Sequence, residues 1–272
     1  ELQSENDRIK LDNALERGVR LLVTPELSIT GYTCADLFFS RTLLVESERA
    51  VGELADYIKG KDIVLLVGAP VAFFNKLYNC AIVIDKDGVK GIVPKKYLAN
   101  YNEFYEKRWF ASGFDFKETQ DISFAGFDTQ IGDIIFDLGD GAVLGVELCE
   151  DLWVPNPPSS SLALNGANII ANLSASDEYV SKAEYRRDLV LNQCARCVCA
   201  YVYSGASVFE STTDLVFSGA TLVCENGAIL NEGERFKREN ILTVADIDVE
   251  KLSSQRRSNM SFENSGDEIK IV

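Results

Sequence analysis

The chain has 272 residues, 27 Lys plus Arg against 42 Asp plus Glu, and no histidine, for a formal charge of −15. Without histidine no Ser-His-Asp triad, Cys-His dyad or histidine-ligated zinc can form, so hydrolytic or transfer chemistry has to use carboxylate, lysine, cysteine, tyrosine or backbone donors. A composition 46% apolar and 25% charged supplies a sizeable core, and the acidic balance argues against nucleic acid as a partner, because phosphate binding needs clustered Lys and Arg.

The opening residues carry a helical pattern, with Ile9, Leu11, Ala14, Leu15 and Val19 on one face and Gly18 as a stop signal. This charged, helix-patterned start does not read as a secretory leader. A strand from Arg20 to Thr24 runs into Pro25-Glu26, and Gly31 marks a loop before a helix from Leu43 to Lys59. Strands follow at Ile63 to Val67, Val71 to Phe74, Tyr78 to Ile84 and Val89 to Val93, the last two joined by the turn Asp85-Lys86-Asp87-Gly88. The apolar stretch from Ile63 to Phe74 is about a dozen residues, short of the roughly 20 that span a bilayer, which predicts a soluble protein with no membrane partner.

Lys95 to about Phe127 is polar and aromatic-rich without clean periodicity, and reads as a long functional loop with short helical pieces. Strands return at Asp133 to Asp137 and Gly141 to Leu148. After three prolines, Ser159 or Ser160 is expected to cap a short helix to Asn165, followed by a strand from Asn168 to Leu173. A helix from Lys182 to Arg196 and a strand from Val198 to Ser204 come next. A strand meander over Phe217 to Ile247 turns at Glu225-Asn226-Gly227, and residues 253–272 read as a polar terminal extension. Two β-rich halves with helices and no linker between them predict one layered α/β domain over residues 1–272.

The seven cysteines are scattered except for Cys194, Cys197 and Cys199, which fits a reducing cytoplasm better than a disulfide framework. That trio has no second cysteine pair and no histidine beside it, so packing is expected there and no metal site.

The strand ending at Leu148 is apolar almost throughout except for Glu147, and it delivers Cys149 into Glu150-Asp151-Leu152-Trp153, where the chain must turn. A thiol so placed is fixed sterically while the next backbone N–H is offered to a developing oxyanion; the competing reading is a cysteine acting as a small hydrophobe. With no histidine, Cys149 needs a carboxylate base and a nearby cation. Glu26 follows one apolar strand in Thr24-Pro25-Glu26-Leu27, and Lys95 follows another in Val93-Pro94-Lys95-Lys96. Lys96 rivals Lys95, since adjacent residues on an extended segment point to opposite sides.

The segments Pro25-Glu26-Leu27-Ser28-Ile29-Thr30-Gly31-Tyr32, Pro94-Lys95-Lys96-Tyr97-Leu98 and Glu147-Leu148-Cys149-Glu150-Asp151-Leu152-Trp153 resemble, in order and spacing, the Glu-Lys-Cys signature of the nitrilase (carbon–nitrogen hydrolase) superfamily. More narrowly, Tyr101 to Phe110 and Asn172-Leu173-Ser174-Ala175-Ser176 are similar to the glutaminase domains of glutamine-dependent NAD synthetases. The resemblance implies a four-layer αββα sandwich and attack of Cys149 on the side-chain amide of L-glutamine through a thioester. Glu26 is implied as general base, Lys95 with the backbone N–H of Glu150 as oxyanion partner, and Glu106 as the carboxylate that orients Lys95. Tyr101, Ser176 and Lys182 are implied at the amino-acid end and Trp153 as an apolar wall. Some relatives carry arginine where Lys182 stands, and the lysine here puts a point charge in place of a planar fork, which bears on a bidentate grip of the glutamine carboxylate. Tyr32 is expected at the site mouth, along an ammonia exit, or packed on the core.

The same resemblance implies homo-oligomers, an N-terminal strand trimmed from this chain, and a C-terminal synthetase domain beyond it. Its Ser-Gly-Gly-x-Asp-Ser loop occurs nowhere in these residues, so ATP and magnesium are expected only in that further domain and no cofactor in this one. Two other readings stay open from the residues: a free-standing amidase of the superfamily acting on another ω-amide or carbamoyl compound, and a catalytically silent scaffold with an acidic surface.

Overall fold

Segments such as Leu65-Leu66-Val67 and Ala81-Ile82-Val83 are apolar on both strand faces, which suits strands covered on both sides. A computed structural model describes residues 11–210, 214–259, 262 and 269–272. Residues 11–16 are helical, and the expected start of that helix at Ile9 lies outside the described residues. In chain order come β1 (Leu21–Val23), α1 (Arg41–Ile58), β2 (Val64–Phe73), β3 (Lys76–Asp85), β4 (Gly88–Pro94), β5 (Gln120–Phe124), β6 (Phe127–Ile131), β7 (Ile134–Asp137) and β8 (Val143–Leu148). Then follow α2 (Pro158–Leu164), β9 (Ile169–Ser174), α3 (Lys182–Arg196), β10 (Ala200–Gly205), β11 (Thr221–Glu225), β12 (Ala228–Glu232), α4 (Val249–Ser258) and β13 (Lys270–Ile271).

The strands form a six-stranded sheet in the order β1-β2-β3-β4-β6-β5 and a seven-stranded sheet in the order β12-β11-β10-β9-β8-β7-β13. Alternation assigns each strand face to a different neighbour. Leu65, Val67, Ile82 and Ile84 pack under Val51, Leu54, Ala55 and Ile58 of α1. From the other face of the same sheet, Leu66, Ala81 and Val83 meet Phe136, Leu144, Val146, Leu148 and Ala171 of the second sheet. The outer face of that sheet, with Ile170, Tyr201 and Leu222, holds Leu162 of α2 and Val190 and Cys194 of α3. The layers therefore run helix, sheet, sheet, helix, the αββα sandwich that the motifs implied.

Several expectations are corrected. β2 runs unbroken through Gly68 and Pro70, where two strands were expected. Gly68 marks a close backbone approach: a Cβ there would lie 2.2 Å from Leu27 N and 2.9 Å from Pro25 O. Pro70 is tolerated because the β1–β2 ladder ends at Leu66 and no strand pairs with that edge of β2 at Pro70. The segment read as a loop up to Phe127 contains β5, which pairs with β6 as a hairpin. Neither Ser159 nor Ser160 caps α2, which begins with Pro158 behind Pro157; a proline at the first helical position forfeits an N–H that has no helical acceptor. The meander ends at β12. Beyond it α4 starts at Asp248, whose side chain accepts from Lys251 N at 2.9 Å, so the extension read from residue 253 begins inside a helix. Leu252 of α4 is buried in the core between the sheets, and Arg256 ties α4 down by donating to Ala167 O at 2.7 Å and to Cys197 O and Val198 O at 2.9 Å. No helix among the described residues is long and apolar enough to cross a membrane.

Gly68 couples this frame to the loop after β1. Gly68→Ala is expected to destabilise the chain by about 1–3 kcal/mol, the usual cost of overpacking, read as a lowered melting temperature. A variant melting with the wild type would show that the Pro25–Leu27 loop moves freely.

Candidate active site

At one end of the sandwich, segments leaving β1, β4, β8 and β9 bring together Glu26, Lys95, Cys149 and Ala175. Lys95 is 0% exposed, and its Nζ donates to Glu26 Oε1 at 2.6 Å and Glu106 Oε1 at 2.7 Å. Its backbone is fixed on both sides, by donation to Asn79 O at 2.8 Å and by Gly113 N, which donates to its carbonyl at 2.7 Å. Lys96 points away and pairs with Asp133 Oδ2 at 2.7 Å. Between the two lysines, the one facing the carboxylates is therefore Lys95.

Both carboxylates have further donors besides Lys95. Asn79 Nδ2 reaches Glu26 Oε1 at 2.7 Å, and Ala175 N reaches Glu26 Oε2 at 2.8 Å. Tyr32 O–H donates to Glu106 Oε1 at 2.7 Å and Ala99 N to Glu106 Oε2 at 3.2 Å. Tyr32 thus belongs to the buried cluster, and its ring also packs edge-on against Phe104 and Phe217; of its three expected settings, the core is the one the structure gives it.

Cys149 is 3% exposed and opens a single 3-10 turn, Cys149–Leu152, directly after β8. Its φ is 40°, a left-handed setting that non-glycine residues rarely take. The surroundings enforce it: Cys149 N donates to Asn172 Oδ1 at 3.1 Å, and Asp151 accepts from Leu148 N at 3.0 Å and Tyr97 N at 2.8 Å. The last bond ties the cysteine turn to the segment that follows Lys95. Beneath it, Glu147 accepts from Tyr201 O–H and from Ser159 N, and Asn172 Nδ2 donates to Tyr201 Oη at 3.0 Å. At the first turn of a helix the backbone N–H groups have no internal acceptor, and Glu150 N–H lies in that first turn.

Burial dominates the electrostatics. It pushes the Cys149 thiol well above its ordinary pKa, reinforced by Glu26 and opposed by Lys95, so the resting thiol is protonated. Burial works against the Lys95 charge, yet Glu106, Glu26 and Cys149 together raise its pKa well above the usual lysine value. Glu106 is pushed up to about 7 by burial, against the pull of the Lys95 ammonium and with repulsion from Glu26.

The residues expected at the amino-acid end lie to one side of this cluster. Tyr101 O–H donates to Glu150 Oε2 at 2.8 Å. Lys182 is buried and ion-paired with Asp177, and its Nζ sits over the rings of Tyr179, Trp153 and Phe104 at 4.9, 5.2 and 5.9 Å. Ser176 is buried beside Asp177, two residues past β9. The cation at Lys182 is thus compensated, and Glu103 adds a second carboxylate through its contact with Asp177.

Sequence reasoning missed Asn79, Asn172, the Ala175 amide and Arg186. The last lies one turn after Lys182, pairs with Glu178, and is close enough for its charge to act on Cys149. Two basic residues four apart on a helix share a face, which was the available signal. Cys194, Cys197 and Cys199 lie in the core under the second sheet, and no group of three or more Cys, Asp or Glu suited to a metal ion occurs among the described residues. A cavity of about 1330 Å³ runs along β1 and the 237–247 segment, but none of Glu26, Lys95 or Cys149 lines it.

A cysteine on a strand-to-turn junction beside a buried Glu-Lys-Glu cluster, in an αββα sandwich, accords with the family match: the sequence fits the carbon-nitrogen hydrolase profile over residues 8–257, and the chain belongs to that family. It is 44% identical over 250 residues to the glutamine-dependent NAD(+) synthetase of Mycobacterium bovis, covering 91% of this chain and 36% of the relative. It is 30% identical over 271 residues to that of Saccharomyces cerevisiae, covering 96% and 38%. The chain therefore spans little more than a third of these relatives. Among solved structures it resembles a glutamine-dependent NAD(+) synthetase from Cytophaga hutchinsonii, with a TM-score of 0.80 and 27% identity over 90% of this chain and 40% of that one. It shares its fold with an amidase from Nesterenkonia sp., at a TM-score of 0.71 and 20% identity over 94% and 87% of the two chains.

Asp151 supplies a pH test of the cysteine turn. Burial pushes its pKa up to about 8, against two backbone N–H bonds, compared with about 3.9 for an unfolded chain. The native state therefore binds more protons between these values, and stability falls as pH rises through the window. Asp151→Asn loses one N–H bond but does not titrate. The gap in melting temperature between wild type and variant is thus expected to narrow from pH 4 to pH 8; a constant or widening gap would contradict the assignment.

Proposed function

We propose that this chain is a glutamine amidohydrolase domain that releases ammonia through a Cys149 thioester. In the proposed reaction Sγ attacks the amide carbon of L-glutamine as its proton passes to Glu26. The oxyanion that forms is met by Lys95 Nζ and Glu150 N–H. Glu26 then hands the proton to the leaving nitrogen, the C–N bond breaks, and ammonia departs. Water attacks the thioester while giving a proton to Glu26, the C–S bond breaks, and that proton returns to sulfur, leaving glutamate. Every proton is accounted for without a metal.

The observation that carries this reading is the burial of Cys149 with a carboxylate, Glu26, that already shares the Lys95 ammonium with Glu106; burial and Glu26 push the thiol pKa up. A neutral thiol needs a base at the moment of attack, and Glu26 is the carboxylate in place. At the substrate's other end, Lys182 and Asp177 offer one charge of each sign to an amino-acid zwitterion, next to Ser176, Tyr101 and the Trp153 ring. The curated relatives, named for glutamine and NAD(+) and about two and a half times as long, support a C-terminal synthetase domain as partner. That partner would use the ammonia to amidate nicotinate adenine dinucleotide, with ATP and magnesium acting there. Seven cysteines, all free, support a reducing cytoplasmic setting.

The purified protein is expected to release ammonia from glutamine, and Cys149→Ala to lower that rate by at least about 10³-fold, as for loss of a covalent nucleophile. Equal rates would refute the thioester. Faster turnover of dicarboxylate monoamides or N-carbamoyl amino acids than of glutamine would keep the nucleophile and replace the substrate.

A further inference from the structure

Asn79 lies fully buried in β3 between Tyr78 and Cys80, and none of the proposed steps uses it. Its Nδ2 donates to Glu26 Oε1 at 2.7 Å, the same oxygen that takes Lys95 Nζ at 2.6 Å. Its carbonyl accepts Lys95 N at 2.8 Å. One residue thus fixes both members of the ion pair, one through its side chain and the other through its backbone. Its Oδ1 is buried and has no hydrogen-bond partner. A buried acceptor left unpaired is a standing cost to stability, so the fold alone would be better served by an apolar side chain; what the amide provides is the N–H aimed at Glu26.

We infer that Asn79 is a positioning residue which, with Lys95, fills the lone pairs of Glu26 Oε1 and so assigns proton exchange with Cys149 to Oε2. Oε2 takes a single hydrogen bond, from Ala175 N at 2.8 Å, and so keeps the lone pair that Oε1 has committed to its two donors. The thiol proton moves from Sγ to Oε2 as the C–S bond forms, and from Oε2 to the leaving nitrogen as the C–N bond breaks. The assignment rests on Glu26 being the general base.

The charged and titratable groups around Glu26 are Lys95 after β4, Glu106 in the following loop, Cys149 and Glu150 after β8, Tyr32 after β1 and Tyr203 in β10. Removing the Asn79 donor touches none of these side chains directly. It disfavours the carboxylate relative to the acid, so the acid limb of the rate profile moves to higher pH.

The test uses Asn79→Ala and the near-isosteric Asn79→Asp in the purified protein, with folding checked by circular dichroism and melting. Folded Asn79→Ala is expected to lose about ten- to a hundredfold in kcat, in line with one hydrogen bond to a charged group, with little change in KM and an acid limb raised by about one pH unit. Asn79→Asp sets a carboxylate against Oε1 and is expected to raise the limb further; if the alanine variant does not fold, this variant decides. Iodoacetamide alkylation of Cys149 across the same pH range reads the limb without glutamine. Wild-type rates, or slowed rates with the limb unmoved, in a folded variant would overturn the role of Asn79. A wild type that ignores glutamine while its alkylation limb shifts in the variants would overturn the substrate instead and leave Asn79 standing.

Discussion

Lys95 carries a charge where no water reaches it, and taking an ammonium out of water costs on the order of several kcal/mol unless partners replace its hydration. Glu26 and Glu106 replace it at 2.6 and 2.7 Å, yet two carboxylates against one ammonium overshoot by one negative charge. The structure absorbs that excess with neutral donors: Asn79 and Ala175 on Glu26, Tyr32 and Ala99 on Glu106. These donors come from β3 and from the segments after β9, β1 and β4, so the cluster forms only when the sandwich is assembled. Burial and the neighbouring Glu26 still push the Glu106 carboxyl up to about 7 against the pull of Lys95.

The backbone of Cys149, the proposed nucleophile, depends on a second buried network. A left-handed φ at a cysteine is sterically unfavourable and persists only where neighbours over-determine it. Here Asn172 of β9 receives the Cys149 N–H, while Tyr201 of β10 links Asn172 to Glu147 of β8. Three adjacent parallel strands are thus cross-tied directly under the turn. The lone Glu147 in an otherwise apolar strand, which has no role in the reaction, finds its explanation in this tie.

What the sequence revealed and what it hid follow from the same physics. Glu26, Lys95 and Cys149 were legible because each is a reactive residue placed just past an apolar run, in motifs with family spacing. Asn79 was not, because inside Leu77-Tyr78-Asn79-Cys80-Ala81 a single amide hardly disturbs an apolar strand pattern, and its importance lies in a partner 53 residues away. The β5–β6 hairpin escaped because it sits at a sheet edge and keeps Gln120, Asp121, Ser123 and Asp128 exposed, which weakens the alternation. Gly68 and Pro70 read as a strand break because local rules register backbone freedom and a missing N–H, whereas the tertiary cause is the loop of Pro25 to Leu27 crossing Gly68. In α4 only Leu252 is buried, too little to set a helical period.

The two buried networks together explain how a site without histidine can manage a thiol. Lys95 is shared by two carboxylates, so its charge is already committed and the resting sulfur stays protonated. In the proposed reaction the thiol proton neutralises Glu26 at the moment negative charge appears on the substrate oxygen. The net charge of the enclosed cluster is then unchanged: a carboxylate beside Lys95 is exchanged for an oxyanion facing the same ammonium. Separating new charges in a desolvated site is expensive, whereas relocating one between fixed donors requires little reorganisation. On this account the second carboxylate matters as much as the first. Once Glu26 is protonated, Glu106 keeps Lys95 paired and aimed, so the ammonium does not swing away from the position where the oxyanion forms.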